Sequence, residues 1–277
     1  MRSFSSTLLA LGAVALWSLL AVLVVGLREV PPFLLLGLAL GGAGLFALPS
    51  WRLWRVTAST LALGVYGLFG FHLLLFLALR RAPVVEANLV NYLWPLFIVV
   101  LAPLFGSGPL TARHLAAGLL GLVGALLVIS GGHWSLSLAH WDGYLLALGS
   151  ALVWATYSLM THRVAPFPTA AVGLFCLVSG GLALGLHAAT EPRYLPDAAQ
   201  WWRIALLALG PMGAAFFLWD AALKRGDPRA IGALAYLTPL GSTLALVASG
   251  AGTLTLTTGM AGALIVGGAL LGARRER

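Results

Sequence analysis

Ten long apolar runs divide the sequence, separated by short clusters of polar and helix-breaking residues. They cover roughly 6–26, 32–49, 57–79, 84–104, 113–131, 143–162, 168–189, 203–223, 229–249 and 256–273. A helix needs about 20 mostly apolar residues to cross a hydrocarbon core. Each run is close to that length. None alternates with the period of two that a barrel strand requires, so each predicts a spanning helix. Breakers mark the connections: Pro31-Pro32, Gly106-Ser107-Gly108-Pro109, Pro166-Phe167-Pro168 and Gly226-Asp227-Pro228. The one longer link, Glu191 to Trp202, contains two prolines and is expected to lie on the membrane surface. No stretch reads as a soluble domain. The first run lacks a small-residue cleavage site before a polar start and reads as a span, not a removed signal.

Composition supports the same class. Hydrophobic residues make up 60% of the 277 and charged residues 9%, with mean hydropathy +0.98. A soluble domain carries about 25% charged residues, and this chain lacks the polar groups to cover a water-facing surface. It reads as an all-α integral membrane protein whose surroundings are a lipid bilayer. A net charge of +8 in a soluble protein would point to nucleic acid. Here it points to basic cytoplasmic loops, and no nucleic-acid partner is expected. With the N-terminus inside, five of the 16 basic residues (Arg28, Arg80, Arg81, Arg193, Arg203) fall on the far side and the other eleven on the cytoplasmic side. Both termini are therefore expected in the cytoplasm. Trp51, Trp54, Trp134, Trp141, Trp201 and Trp202 fall near predicted helix ends and fit an interfacial belt. Cys176 is the sole cysteine, which leaves no internal disulfide; it reads as a small core residue.

The runs also repeat. Ala78-Leu79-Arg80-Arg81 and Tyr92-Leu93-Trp94-Pro95-Leu96 have relatives 144 positions on, at Ala222-Leu223-Lys224-Arg225 and Tyr236-Leu237-Thr238-Pro239-Leu240. Trp17 with its upstream leucines matches Trp154 at an offset of 137, and Gly124-Ala125-Leu126-Leu127 matches Gly268-Ala269-Leu270-Leu271. Three matches in one order mean one unit used twice, residues 1–135 and 136–277. Five spans per unit is an odd number, so the second copy enters the membrane from the other side. Inverted repeats of this kind occur in secondary transporters, with the site near the midplane between the halves. They also occur in channels.

Candidate chemistry is sparse. No metal-ligand spacing, phosphate-binding loop or nucleophile elbow is present. The chain is not expected to be an enzyme, nor to hold a metal or other cofactor. Small residues at helical spacing (Gly37/Gly41, Gly64/Gly67/Gly70, Gly118/Gly121/Gly124, Gly181/Gly185) predict close helix approach. On the fourth span Asn88, Asn91, Tyr92 and Pro95 share one face; its amides either bond a neighbouring helix or face a wet cavity. Pro95 and Pro239 are expected to kink their helices and act as bending points. Trp17, Trp94, Trp154, Tyr157 and His72 fall at mid-depth, where an indole N–H needs a partner and a ring face can stack on a ligand. No Lys, Arg, Asp or Glu is expected there. Asp220, four residues before Lys224, reads as half of a local ion pair.

These residues resemble a family. The 5+5 span pattern, the Trp-bearing first span of each unit, the Ala-Leu-Arg/Lys-Arg turns and the Tyr-Leu-x-Pro-Leu runs resemble the EamA-type branch of the drug/metabolite transporter superfamily. The Asn91-Tyr92-Leu93-Trp94-Pro95-Leu96 version looks most like the YddG-type exporters of aromatic amino acids. The resemblance implies ten helices around a central cavity in a bacterial inner membrane, acting as a monomer and exporting neutral, chiefly aromatic amino acids by alternating access. Tyr92, Trp94, Trp154 and His72 are expected to line the site, with Trp17, Asn88, Asn91, Tyr157 and Tyr236 adjacent. The alternatives are export of lipophilic drugs or other neutral metabolites, a passive channel, or an intramembrane enzyme. His72 is the one mid-depth candidate for proton coupling; facilitated diffusion needs none.

Overall fold

The computed structural model describes residues 2–133, 137–161 and 163–273. Trp134, the boundary between the two expected units, and Arg274, Arg275 and Arg277 lie outside them. Among the described residues there is no strand. Eight helices are long and apolar enough to span a bilayer: α1 (Ser5–Val25), α3 (Ala58–Leu79), α4 (Val84–Phe105), α5 (Ala112–Ser130), α6 (Leu138–Met160), α7 (Thr169–Thr190), α8 (Ala198–Leu223) and α9 (Pro228–Ala248). Two shorter apolar helices, α2 (Pro32–Phe46) and α10 (Leu256–Gly272), fill the remaining runs. The second apolar run extends to 49, but its helix stops at Phe46. Pro49 cannot continue an α-helical ladder, and the chain tightens into a 3-10 segment, Leu48–Leu53.

Helix starts reflect local chemistry. Pro32 and Pro228 occupy first-turn positions where no N–H is needed. Thr57 and Thr111 cap α3 and α5 through their hydroxyls, and Asp197 with Gln200 forms a capping box on α8. The helices then pair antiparallel. Gly12 of α1 faces Leu218 of α8 while Gly26 meets Arg203. Gly67 of α3 faces Tyr157 of α6, and Gly143 faces Ala82. Gly44 of α2 meets Leu177 and Gly37 meets Leu184 of α7; Gly124 of α5 meets Ile265 of α10. A Cβ at Gly37, Gly44, Gly67 or Gly124 would overlap the partner helix, so their lack of a side chain sets the helix spacing. Gly181 and Gly185 do not share this role. Nothing lies within 4 Å of a Cβ placed on either, and Gly180 makes the close approach to the Gly41 backbone instead.

Among the departures from α geometry, four stand in two pairs. A π turn occupies Tyr66–Gly70 in α3 and another occupies Gly210–Ala214 in α8, 144 residues on. Helix α4 breaks between Asn91 and Trp94, and α9 breaks between Ala235 and Leu237. The breaks lie one turn before Pro95 and Pro239 rather than at them. Proline has no N–H to offer the carbonyl four residues earlier, so the ladder lapses there, and the helix restarts with the proline in its first turn.

Candidate functional site

A cavity of about 310 Å³ lies between the helices, lined from α1, α2, α3, α4, α6, α8 and α9. No Lys, Arg, Asp or Glu is among its lining residues. Along the helices it has two layers. The one at the level of Ser150 carries His72, Asn88, Asn91 and Tyr92, with Phe76, Leu35 and Leu75 around them. His72 sits just past the π turn of α3, and its Nδ1 lies 2.6 Å from the Leu68 carbonyl. A carbonyl only accepts, so Nδ1 carries the proton and Nε2 of the neutral ring is an acceptor. Asn88 donates from Nδ2 to the Val84 carbonyl at 3.0 Å, leaving Oδ1 as its acceptor. The Ser150 hydroxyl on α6 lies 3.2 Å from Asn91 Oδ1 and 3.0 Å from the Phe71 carbonyl, which joins α4 to α6 and α3. Asn91 thus takes both roles anticipated for the amides, bonding a neighbouring helix and facing the cavity.

The other layer, one turn further along α4 and α6, is aromatic and is called the floor below. Trp17 meets Trp94 edge-on at 6.3 Å and Trp154 at 6.0 Å, and Phe216 lies 5.6 Å from Trp154. Edge-to-face pairs at 4.5–7 Å, as the two Trp17 pairs are, are each worth about 0.5–1.5 kcal/mol beyond area burial. Trp219 stands behind it, fully buried, 5.2 Å from Trp17, and donates its indole N–H to Ser158 at 3.1 Å. Trp17 donates to the Pro211 carbonyl at 3.1 Å, an acceptor within the π turn of α8. The indole N–H groups of Trp94 and Trp154 have no partner among the described residues. Thr238 completes the floor from α9.

Seven of the anticipated residues therefore come together on one cavity: Trp17, His72, Asn88, Asn91, Tyr92, Trp94 and Trp154. Tyr157 and Tyr236 do not line it. Tyr157 is buried behind Trp154, with ring centroids 5.3 Å apart, and its ring occupies the space that Gly67 leaves. Tyr236 is fully buried against Gly121, and the Leu96 amide, just past the α4 break, donates to its hydroxyl at 3.0 Å. Sequence reasoning misses Phe71, Met212, Phe216, Trp219 and Thr238. Thr238 had a signal, since it stands at the repeat position of Trp94. Phe216 had none beyond being apolar.

Both ends of the helix bundle are fastened by charge. Asp220 does pair with Lys224, at 2.7 Å, but is more than a local partner: the Thr169 hydroxyl donates to the same oxygen at 2.6 Å, tying α8 to α7. Lys224 also donates to the Phe167 carbonyl. At the opposite end the Glu191 carboxylate accepts from the Phe33 and Leu34 amides of α2 and from Arg80, just past the end of α3. Trp51, Trp141, Trp201 and Trp202 are exposed, as a lipid-facing belt requires. Trp54 is not; it packs against Gly173.

The EamA-like transporter family model matches the chain twice, at residues 4–130 and 141–273. The chain is 38% identical over 285 residues to a protein named aromatic amino acid exporter YddG from Ancylobacter novellus, covering 97% of each. It is 26% identical over 292 residues to the protein of that name from Escherichia coli, covering 96% of each. A solved crystal structure with 36% sequence identity superposes with a TM-score of 0.93, over 97% of this chain and 96% of that one. This chain belongs to the EamA-like transporter family.

Proposed function

We propose that this protein exports aromatic amino acids from the bacterial cytoplasm by alternating access, as the names of its full-length relatives indicate for them. The observation that carries the reading is the cavity itself, uncharged, with an aromatic floor under a layer of amide, imidazole and phenol groups. A zwitterionic head finds acceptors for its ammonium in His72 Nε2 and the asparagine oxygens. It finds a donor for its carboxylate in the Tyr92 hydroxyl. The ring stacks below. A second charge on Lys or Glu would be left unpaired in a dry site at a cost of several kcal/mol, which gives the selectivity.

In this reading α2 and α10 also span, making ten, and the two matched segments are inverted repeats. The paired π turns and paired breaks, each 144 residues apart, support that arrangement, as does the antiparallel packing of α2 on α7 and α5 on α10. The protein is a monomer in the inner membrane with both termini cytoplasmic, and the breaks before Pro95 and Pro239 are the bending points. Transport is facilitated diffusion down the amino acid gradient.

The test is flux. Cells overproducing the protein should resist toxic phenylalanine analogues, and proteoliposomes should show saturable uptake with counterflow. Trp154→Ala and Tyr92→Ala should each lower flux roughly tenfold, the loss of one or two stacking or polar contacts. Trp201→Ala, on the exposed belt, should leave it unchanged. Linear flux without saturation would make the protein a channel. Preference for lipophilic drugs over phenylalanine would replace the substrate.

A further inference from the structure

We infer that Thr238 is the residue that reads the polar substituent on the substrate's ring. The inference rests on the reading of the cavity as an aromatic amino acid site and adds a subsite to it. Thr238 lines the cavity, is 7% exposed, and its Oγ1 is buried without a hydrogen-bond partner. A buried hydroxyl that bonds nothing is costly, and a helical threonine ordinarily satisfies its hydroxyl by bonding a carbonyl one turn back. Thr238 forgoes that bond. Its neighbour does not: Ser18, beside it on α1, donates to Val14 and lies 3.4 Å from the Thr238 carbonyl.

The depth of Thr238 identifies what it would meet. Its carbonyl lies 3.4 Å from the Ser18 hydroxyl, next to Trp17 on α1, and by the repeat it stands where Trp94 stands, one turn past Asn91 on α4, which puts it with the aromatic floor and not with His72, Asn88 and Asn91. A substrate whose ammonium and carboxylate occupy the upper layer places the far edge of its ring against the floor. Phenylalanine has no polar atom there, tyrosine has a hydroxyl, and tryptophan has an indole N–H. Threonine in a helix has two accessible χ1 wells, so one rotation exchanges Cγ2 for Oγ1 at the cavity wall. The hydroxyl then accepts from a phenol or indole. With phenylalanine the methyl stays at the wall. The repeat sharpens the assignment: the same position in the first unit is Trp94, an N–H donor, so the floor has a donor on one side and a hydroxyl on the other.

The experiment compares export of tyrosine, tryptophan and phenylalanine by purified protein in liposomes, reported as ratios of flux at limiting substrate. Thr238→Val keeps the shape and deletes the hydroxyl. It should lower the tyrosine-to-phenylalanine and tryptophan-to-phenylalanine ratios about three- to tenfold, the worth of one hydrogen bond. Thr238→Ser should restore the wild-type ratios. Unchanged ratios in Thr238→Val overturn the inference, and so does an equal fall for all three substrates. Wild-type protein that moves none of the three overturns the substrate reading, and the inference with it.

Discussion

Replacing Glu191 by glutamine should loosen α2 from the rest of the protein. The Glu191 side chain is 1% exposed. Its carboxylate takes the Phe33 and Leu34 amides at 3.1–3.2 Å, where no side chain caps the start of α2. It also takes Arg80 at 2.8 Å and His187 Nδ1 at 3.0 Å. Four groups on three helices thus meet one carboxylate. Glutamine keeps one acceptor oxygen and the shape but removes the charge. A hydrogen bond to a charged group is worth about 1.5–3 kcal/mol against about 0.5–1.5 for a neutral one, so the two amide bonds together lose about 2 kcal/mol. The negative charge at the α2 N-terminus adds about 0.5 kcal/mol. Arg80 is 45% exposed, and solvent screening holds its share to roughly 0.5 kcal/mol. The sum is about 3 kcal/mol, which lowers the melting midpoint by roughly 6–12 °C for a chain of this size. Thermal unfolding in detergent, followed by tryptophan fluorescence, reads it directly. Arg80→Ala is the control and should cost no more than about 2 °C. If Glu191→Gln melts with the wild type, or if Arg80→Ala costs as much as Glu191→Gln, the capping of α2 is not what fastens this end.

The same geometry sets other outcomes. Gly67→Val would drive a side chain into the Tyr157 ring and should destabilise the protein by more than about 2 kcal/mol, whereas Gly181→Ala, which meets nothing within 4 Å, should leave its melting midpoint unchanged. Tyr236→Phe removes the acceptor for the half-buried Leu96 amide and should cost about 1–2 kcal/mol, measured by the same melt. Reporter fusions at Arg277 and within the Glu191–Trp202 loop should report opposite compartments; a shared compartment would remove the ten-span count or the orientation. His72→Gln should leave any response to an imposed pH gradient as it was; uphill transport driven by protons in wild type and lost only in this variant would establish coupling through His72.

Much of the cavity lining was legible in the sequence because its chemistry breaks the background. A tryptophan, a histidine or an asparagine at mid-depth stands out in a chain that is 60% hydrophobic. Their spacing on α4 placed Asn88, Asn91 and Tyr92 on one face without knowledge of the packing. Phe71, Met212 and Phe216 had no such contrast. An apolar residue on an apolar helix carries no mark of whether it faces lipid, a neighbour or a cavity, since lipid and protein interior are equally apolar. The π turn of α3 was invisible for a related reason, since Tyr66-Gly67-Leu68-Phe69-Gly70 reads as ordinary helix; that of α8 holds Pro211, which offers no N–H to the ladder and so left a mark in the sequence. The extent of α2 was obscured by apolar residues that continue past Phe46 into the 3-10 segment.

The pairing of Tyr92 with Tyr236 marks the limit of the repeat as a guide. Sequence symmetry treats them as equivalent, each three residues before a proline. In the structure Tyr92 faces the cavity while Tyr236 lies fully buried and its hydroxyl takes the Leu96 amide of α4. The difference traces to the residues on the C-terminal side of each break. After Tyr92 the chain restarts with Trp94, whose ring fills the floor against Trp17 and Trp154. After Tyr236 it restarts with Leu237 and the smaller Thr238, and the tyrosine packs outward onto Gly121 of α5. In the proposed reading two repeats surround an asymmetric molecule, so equivalent positions cannot keep equivalent jobs at the cavity wall. They can in the scaffold, and there the pairs persist: two π turns, two breaks, and a proline after each break. If that division holds, exchanging Trp94 and Thr238 in a double variant should preserve folding, because each side chain moves to a backbone of the same geometry. It should abolish selective flux, because the polar layer above is not exchanged with them. A double variant that folds and transports with wild-type selectivity would refute the division; one that does not fold would show that the floor is part of the scaffold.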